Sequence, residues 1–538
     1  MTQRLRWVVV VLLVAATPAA ARAQAPVAYR LSFPQPEQHW MQVDVAFDDV
    51  APGPLELHIS RASPGRYALH EFARNISHVR ITGASGSALN VSHTDVNHWT
   101  VTGHEGAVRV TYRVSGERVD GTYLGIDSTH AHINMPSALV WARGLEERPV
   151  TVRFEPPAGS QWRVGTQLMP GADAFTYTAP NLQYLMDSPT EFSAFSLRTF
   201  TVDKTPGAPI FRMAVHHTGT DRELDGFAAD VARIVREERN VWGEYPPFDG
   251  NTYTFIADYL PGARGDGMEH RNSAIVTSAE SIRSNRLDLL DTTSHEFFHA
   301  WNVERIRPRS LEPFNFDDAN VSGELWLAEG FTSYYGPLIL LRAGITKIDA
   351  FLSEMAGVIN TVRTSPGRQV HSAEEMSRMA PLVDGAANVD RARLQDTYIS
   401  YYTWGAAIGL GLDLTLRERS HGSITLDHYM RALWAAYGKP GGKAPGYVGR
   451  PYTMADLKAT LASVSGDEAF AEDFFAHFIQ GRDVVEYERL LARFGITARS
   501  IRPQVIEIVP VQETDRQLTA DQRHLRQTWL SSAAGNTF

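Results

Sequence analysis

The spacing of hydrophobic residues changes near residue 203 of this chain. Before that point, apolar and polar residues alternate in short segments, such as 42–47, 55–59, 107–114 and 150–154, separated by glycine, proline, asparagine and aspartate. This alternation, with its frequent turn residues, predicts an antiparallel β-sandwich over residues 24–202. Beyond residue 345 nearly every segment has a helical period, as in 348–362, 399–417 and 454–464. The later pattern predicts an all-α domain over residues 346–500.

The region between these two parts, residues 203–345, mixes both patterns. A helical period over 224–241 precedes a strand pattern over 252–259, and further helices are predicted over 286–303 and 324–335. The chain is therefore expected to be a multidomain α+β protein. Its order is an N-terminal antiparallel β-sandwich, an α/β domain and a C-terminal all-α domain, followed by a polar tail over 501–538.

Composition limits the classes of function. The 538 residues include no cysteine and carry a formal net charge of −10. Without cysteine there is no disulfide and no thiolate ligand, so any metal must be bound by histidine and carboxylate groups. A net negative charge without a basic patch argues against a nucleic-acid partner.

The first 23 residues have the layout of a secretory signal peptide. Arg4 and Arg6 precede a ten-residue apolar run over 7–16, and Ala21 and Ala23 flank one residue at a small-x-small cleavage site. Ten apolar residues are too few to span a bilayer, which needs about 20. We expect cleavage after Ala23 and a mature protein, without a membrane span, that is secreted across the inner membrane into the periplasm.

A His-Glu-x-x-His motif lies in the helix predicted over 286–303. His295 and His299 are four residues apart, with Glu296 between them. Because that spacing places both imidazoles on one face of a helix, they can bind one Zn²⁺. Glu296 can then approach the attacking water without being a ligand. Two surface histidines on an amphipathic helix are the alternative interpretation.

A third ligand is predicted on the next helix. Zinc in a hydrolytic site takes three protein ligands and keeps one position for water. Glu329 lies among apolar residues, where an unpaired carboxylate is costly and a metal would remove the cost. The alternative is a glutamate that packs between helices and bonds to an arginine. The sequence therefore predicts one Zn²⁺ per chain, bound by His295, His299 and Glu329.

Two further segments suit a peptide substrate. Gly267, Met268 and Glu269 follow the predicted strand 252–259 and a glycine-rich turn, at an edge where a peptide can lie. A carboxylate there can bind the substrate α-ammonium group. Tyr402 opens an apolar helix, and its phenol can donate a hydrogen bond to the oxyanion of a tetrahedral intermediate. An ordinary loop glutamate and a core tyrosine are the alternatives, and both stay open.

A second histidine pair lies in the N-terminal domain. His130 and His132 are two residues apart in a predicted strand, so their side chains point to the same face. A solvated strand face is the expected explanation, and a second metal is the alternative.

These residues resemble the bacterial glycyl aminopeptidase family, which belongs to the thermolysin-like gluzincin zinc metallopeptidases. The 29 residues between His299 and Glu329 are similar to that family's spacing. Gly267-Met268-Glu269 resembles the exopeptidase motif of the related aminopeptidase N proteins. The resemblance covers about residues 29 to 494, and the segments that carry it are 63–67, 72–75, 295–308, 325–335, 402–405 and 413–417.

The resemblance implies a thermolysin-like catalytic domain over 203–345 and a zinc-dependent aminopeptidase that releases small N-terminal residues, Gly or Ala. It implies Zn²⁺ on His295, His299 and Glu329, Glu296 as the catalytic base and Tyr402 as the second catalytic residue, on the oxyanion. Substrate binding is implied for Glu269, on the peptide amine, with Gly267 and Met268 beside it.

Members of the family commonly carry a C-terminal PDZ-like module. About 40 residues follow Arg499, too few for such a module, so we expect it to be absent. The partner implied is a peptide with a free N-terminus. Two alternatives remain: a zinc endopeptidase with the same core, and a non-catalytic, metal-bearing periplasmic binding protein.

Overall fold

The computed structural model describes residues 24–93, 95–386, 396–510 and 518–532. The predicted signal peptide lies outside the described residues. Within the described residues, no helix combines the length and the apolar character that crossing a bilayer would require.

The N-terminal domain is built from short strands and one short helix, α1 (Leu182–Met186). The strands are β1 (Val27–Ser32), β2 (Trp40–Phe47), β3 (Leu55–Ile59), β4 (Ile76–Thr82), β5 (Asn90–His93), β6 (His98–Thr102), β7 (Val108–Ser115), β8 (Leu124–Ile126), β9 (His130–Ile133), β10 (Val140–Ala142), β11 (Val150–Glu155), β12 (Arg163–Thr166), β13 (Met169–Pro170), β14 (Thr176–Ala179) and β15 (Thr190–Ser193). The strands predicted over 42–47, 55–59, 107–114 and 150–154 are confirmed as β2, β3, β7 and β11.

These strands form three sheets, with orders β13-β14-β11-β1-β2-β7-β4, β10-β3-β6-β5 and β12-β15-β9-β8. One pair departs from the antiparallel pattern, because β1 pairs with β11 in parallel. More than a hundred residues separate the two strands in the chain. No hairpin therefore sets their direction, and only a tight turn forces neighbouring strands to be antiparallel.

The next region contains a five-stranded sheet of order β16-β17-β18-β20-β19. Its strands are β16 (Ser196–Phe200), β17 (Ile210–His217), β18 (Thr252–Tyr259), β19 (Asp266–His270) and β20 (Ser273–Ser278). Helix α2 (Asp221–Trp242) connects the parallel strands β17 and β18, and α3 (Arg286–Phe298) follows the sheet. Strand β19 is an edge strand of this sheet, and helix α3 packs against β19 and its neighbour β20.

The helices that follow pack on α3 and on one another around one continuous core. They are α4 (Leu325–Ala328), α5 (Gly330–Arg342), α6 (Ile348–Thr364), α7 (Ala373–Arg378), α8 (Ala380–Ala386), α9 (Tyr401–Arg419), α10 (Leu426–Leu433), α11 (Met454–Ser465), α12 (Glu468–Phe474) and α13 (Tyr487–Arg493). The helices predicted over 348–362, 399–417 and 454–464 are confirmed as α6, α9 and α11.

The segment expected to be a polar tail contains regular structure. Strands β21 (Ile496–Arg502) and β22 (Val505–Pro510) form a hairpin, and helix α14 (Ala520–Leu530) follows. The indole of Trp529 is fully buried and donates a hydrogen bond to the hydroxyl of Tyr334, 2.9 Å away. The polar composition of this segment hides the helix, because few residues, chiefly Leu525 and Trp529, carry the apolar side of α14.

Helix α9 crosses the junction between α4 and α5 so closely that the backbone atoms of the helices are in contact. A Cβ atom added to Gly405 would lie 2.1 Å from the carbonyl oxygen of Trp326 and 2.6 Å from the Cα of Gly330. Glycine at this position is therefore what permits the close packing of the two backbones. The contact places the first turn of α9, with Tyr402, beside the junction that carries Glu329.

We therefore expect Gly405→Ala to lower the free energy of unfolding by more than about 2 kcal/mol, since backbone atoms cannot move aside as a side chain can. Gly357→Ala is the matched control, because a Cβ there meets nothing within 4 Å. Gly357 lies inside α6, where alanine stabilises by about 0.5–1 kcal/mol. Chemical denaturation of both variants measures the difference, and equal stabilities would contradict this packing.

Candidate active site

The three predicted metal ligands lie together. His295 and His299 are one turn apart at the end of α3, and Glu329 is the residue between α4 and α5. Its Oε2 atom lies 3.5 Å from Nε2 of His295 and 3.3 Å from Nε2 of His299. The predicted helix over 286–303 ends earlier, at Phe298, because the chain then turns tightly. His299 is the residue that caps it.

The donor atoms fit a metal ion. Nδ1 of His299 donates a hydrogen bond to the carbonyl oxygen of Asn302, 2.5 Å away, whereas its buried Nε2 has no hydrogen-bond partner. An imidazole held through one nitrogen presents the lone pair of the other, which is how histidine binds zinc. The Oε2 atom of Glu296 is also buried without a partner. Buried polar atoms are rarely left unpaired, so this group of residues suits a cation.

The position of Glu329 is fixed from two sides. The hydroxyl of Tyr67, from the N-terminal domain, donates a short hydrogen bond to Oε1 of Glu329, which leaves Oε2 facing the imidazoles. The side-chain amide of Asn302 donates to the carbonyl oxygens of Leu327 and Ala328, both at 3.2 Å. Contacts of this kind orient a metal ligand before the metal binds.

Two more carboxylates face the same space. Ligand atoms of Glu269, Glu296 and His299 all lie within 4.8 Å of one another. Glu269 is on the edge strand β19, directly beside α3. A Cβ on Gly267 would lie 2.1 Å from Oε1 of Glu296, so glycine is what allows the strand to approach the helix this closely.

Met268 points to the opposite face of strand β19 from its two neighbours in the sequence. Because side chains alternate along a strand, Gly267 and Glu269 share the face toward α3, and Met268 points to the other face. There it packs with Ile256 and Ile275 and is completely buried. The side chain of Met268 therefore packs within the sheet and points away from α3.

A loop of the N-terminal domain covers the edge strand. The guanidinium of Arg66 donates to the carboxylate of Asp266 and, at 3.2 Å, to the carbonyl oxygen of Gly267. Gly65 has φ +76°, and a Cβ there would lie 2.9 Å from Oε2 of Glu269. Sequence reasoning gave Arg66 and Tyr67 no role. Residues 63–67 contribute to the family resemblance, and this resemblance could have indicated a role for them. Their local composition predicts only a loop.

Tyr402 lies beside the imidazoles. Its ring is 6.2 Å from that of His295, at an interplanar angle of 28°. His295 is also the most accessible of the three predicted ligands, with 18% of its side chain exposed against 1% for His299 and 2% for Glu329. His295 and Tyr402 therefore lie on the more accessible side of the site, which we call the cleft.

Burial and neighbouring charges shift the pKa values of several groups at the site. Burial raises the pKa of Glu296 well above its usual value, and the neighbouring carboxylates of Glu269 and Glu329 add to the effect. Burial also raises the pKa of Glu269. Burial opposes a charge on His299, yet the surrounding carboxylates, Glu329 first, raise its pKa to about 10. The oxygen atoms of these carboxyl groups and the imidazole nitrogens are donors that a divalent cation can bind.

Comparison with known proteins identifies the chain. The model of the peptidase M61 N-terminal domain matches residues 28–194, and the model of the M61 glycyl aminopeptidase matches residues 288–408. Together the two matches span more than half of the sequence. The chain belongs to the M61 glycyl aminopeptidase family. This M61 chain is accordingly a metallopeptidase of the aminopeptidase type, and the match spans all three predicted metal ligands.

Solved structures share the fold of the M61 chain. An aminopeptidase N family protein from Idiomarina loihiensis superposes with a TM-score of 0.78 at 22% identity, covering 88% of this chain and 79% of that one. A mutant M1 zinc metallopeptidase from Deinococcus radiodurans gives a TM-score of 0.50 at 15% identity, covering 86% of this chain and 95% of that one. No curated protein gives a match to the M61 chain.

Proposed function

We propose that this protein is a zinc-dependent aminopeptidase that releases small N-terminal residues, Gly or Ala, from peptides. The observation that carries the proposal is the convergence of Nε2 of His295, Nε2 of His299 and Oε2 of Glu329, with separations of 3.5 and 3.3 Å from the carboxylate oxygen. These three residues would hold one Zn²⁺. When bound, the ion activates a water molecule and polarises the scissile carbonyl group.

Glu296 is the residue suited to act as the general base for the attacking water and as the general acid for the leaving amine. Its carboxylate is buried, has one oxygen without a hydrogen-bond partner and faces the predicted ligands. A carboxylate whose pKa is raised by burial can take a proton from the attacking water and return it to the leaving amine. General acid–base catalysis by Glu296 is therefore part of the proposal.

Glu269 accounts for cleavage next to the N-terminus. Its carboxylate lies on the edge strand, within reach of the same space, and the substrate α-ammonium group is the cation that it would bind. Gly267 lies on the same face of the strand, packed closely against Glu296. The loop that carries Gly65 packs against Glu269, so little space remains beside the bound amine. This supports a preference for a small first side chain.

The exopeptidase assignment is tested with matched peptides that carry a free or an acetylated N-terminus. We expect hydrolysis of the free peptide only. Glu269→Gln removes the charge that pairs with the amine, and we expect kcat/KM for the free peptide to fall by about 10²-fold, the size of a lost charge-assisted contact. Equal hydrolysis of both peptides by the parent enzyme would instead support the endopeptidase alternative.

Tyr402 is proposed to stabilise the oxyanion. Its ring lies beside His295, on the open side of the cleft. Removing one oxyanion donor lowers kcat by about 10²–10³-fold. We expect that loss for Tyr402→Phe, with little change in KM, in steady-state kinetics on a Gly or Ala substrate. Tyr245→Phe, which removes a phenol packed against Trp301 and Phe211, is the control. A Tyr402→Phe enzyme with parental kcat would contradict the assignment.

A further inference from the structure

A second group of histidines and carboxylates lies where the N-terminal domain meets the catalytic sheet. We call it the interdomain cluster, and it consists of His130, Glu191, His216 and Asp258. One possible ligand atom from each residue lies within 4.8 Å of the others. The first two residues come from β9 and β15 of the N-terminal domain, and the last two from β17 and β18 of the catalytic sheet.

The two domains present these residues from paired strands. His216 and Asp258 are directly opposite each other in the parallel pair β17–β18, so their side chains share one face. Strands β9 and β15 pair in antiparallel register and bring His130 near Glu191. Oε1 of Glu191 lies 3.4 Å from Nδ1 of His130 and 3.6 Å from Nδ1 of His216. Oδ1 of Asp258 lies 3.8 and 3.9 Å from the same two nitrogens.

The polar atoms at the centre of the cluster are buried and unpaired. Glu191 is 0% exposed, and neither of its carboxylate oxygens has a hydrogen-bond partner. The facing atoms, Nδ1 of His130, Nδ1 of His216 and Oδ1 of Asp258, are unpaired as well. A buried carboxylate without a partner costs several kcal/mol, roughly, and native proteins seldom leave several such atoms together. The arrangement points to a cation that all four residues share.

The surrounding contacts hold the cluster in place. Oδ2 of Asp258 accepts a hydrogen bond from Nδ1 of His132 at 2.6 Å, while Nε2 of His132 donates to the carbonyl oxygen of Asp120 at 2.8 Å. Both ring nitrogens of His132 are held by these contacts. The imidazole orients Asp258 and leaves Oδ1 facing the cluster. Carboxylate ligands of metals are typically fixed by an outer contact of this kind.

We propose that the interdomain cluster binds a divalent transition metal, with Zn²⁺ as the preferred ion. Two imidazole nitrogens and two carboxylate oxygens form a mixed set, whereas Mg²⁺ and Ca²⁺ prefer oxygen alone. Four protein ligands leave no position for a reacting water, which is the arrangement of a structural zinc site. The ion fastens the N-terminal domain, and with it the loop of Arg66 and Tyr67, to the catalytic sheet.

Metal stoichiometry tests this proposal on the full chain, because the interdomain cluster shares no residue with the active site. Elemental analysis follows zinc loading and dialysis of four proteins: the parent, an active-site variant (His295→Ala with His299→Ala), a cluster variant (His216→Asn with Glu191→Gln), and their combination. We expect two, one, one and no zinc ions per chain. An active-site variant without zinc would overturn the cluster site. A cluster variant without zinc, with one ion in the active-site variant, would overturn the catalytic site alone.

Thermal unfolding provides a second measurement that does not depend on activity. In the active-site variant, we expect a chelator to lower the melting temperature by about 5 °C or more and added Zn²⁺ to restore it. Adding the single change His216→Asn, at a residue with 19% side-chain exposure, should abolish that response.

The matched control is His421→Asn, which replaces an exposed histidine with φ +50°, a conformation that asparagine tolerates. It should leave the chelator response intact. A melting temperature unaffected by the chelator in the active-site variant would show that the interdomain cluster is a network of ion pairs without metal.

Discussion

Glu296→Gln is expected to lower kcat at least about a thousandfold while the protein keeps its zinc. General acid–base catalysis contributes about 10²–10⁴-fold, and an amide can neither accept nor return the proton. Glutamine keeps the size of the side chain, so the close packing of Glu296 against Gly267 is preserved. Steady-state kinetics with a Gly or Ala substrate, together with zinc analysis of the same sample, measures both quantities.

Glu238→Gln is the matched control for this experiment. Glu238 is also buried against α3, where Ser294 donates a hydrogen bond to it at 3.3 Å, but it is not part of the cleft. Burial raises the pKa of Glu238 well above its usual value, which favours the neutral carboxyl form, and glutamine has the same size and no charge. We expect parental kcat for this control. Parental activity of Glu296→Gln would remove the proposed base and favour a different mechanism.

Glu329→Gln is expected to abolish both zinc retention and activity, with a loss of at least about a thousandfold, because a hydrolytic zinc site needs three protein ligands. The glutamine can still accept the hydrogen bond from Tyr67, so loss of folding is not expected. Tyr67→Phe provides a graded comparison, since it removes only the outer contact to Oε1 of Glu329. Losing such a contact weakens metal affinity by about 10–100-fold.

A competition titration with a zinc chelator measures both affinities. The expected order is parent, then Tyr67→Phe, then Glu329→Gln. A Glu329→Gln protein that binds zinc as tightly as the parent would contradict the ligand assignment. Unchanged affinity in Tyr67→Phe alone would contradict only the orienting role of the N-terminal domain.

The predicted site residues that the structure brings together are those whose geometry is local. His295 and His299 share a helix face because they are four residues apart, and the hydrophobic period of the surrounding segment predicts that helix. A binding role for Glu329 could be predicted because a carboxylate among apolar residues is costly to bury without a partner. The strand 252–259 and the helices α6 and α9 likewise follow from short-range periodicity.

The residues that sequence analysis missed are brought in by long-range contacts. Tyr67 and Glu329 are 262 residues apart in the chain, and nothing near Tyr67 in the sequence indicates that its hydroxyl reaches a predicted metal ligand. His130 and His132 were expected on a solvated strand face, but they are 2% and 0% exposed because the catalytic sheet covers that face. Only the packing of one domain on another reveals such positions.

The most direct test of the active site is a crystal structure of the zinc-loaded protein with anomalous diffraction data collected on both sides of the zinc absorption edge. We expect an anomalous difference peak bonded to Nε2 of His295, Nε2 of His299 and a carboxylate oxygen of Glu329, at about 2.0–2.2 Å from each. Active, zinc-loaded crystals with no peak among these three residues would contradict the account.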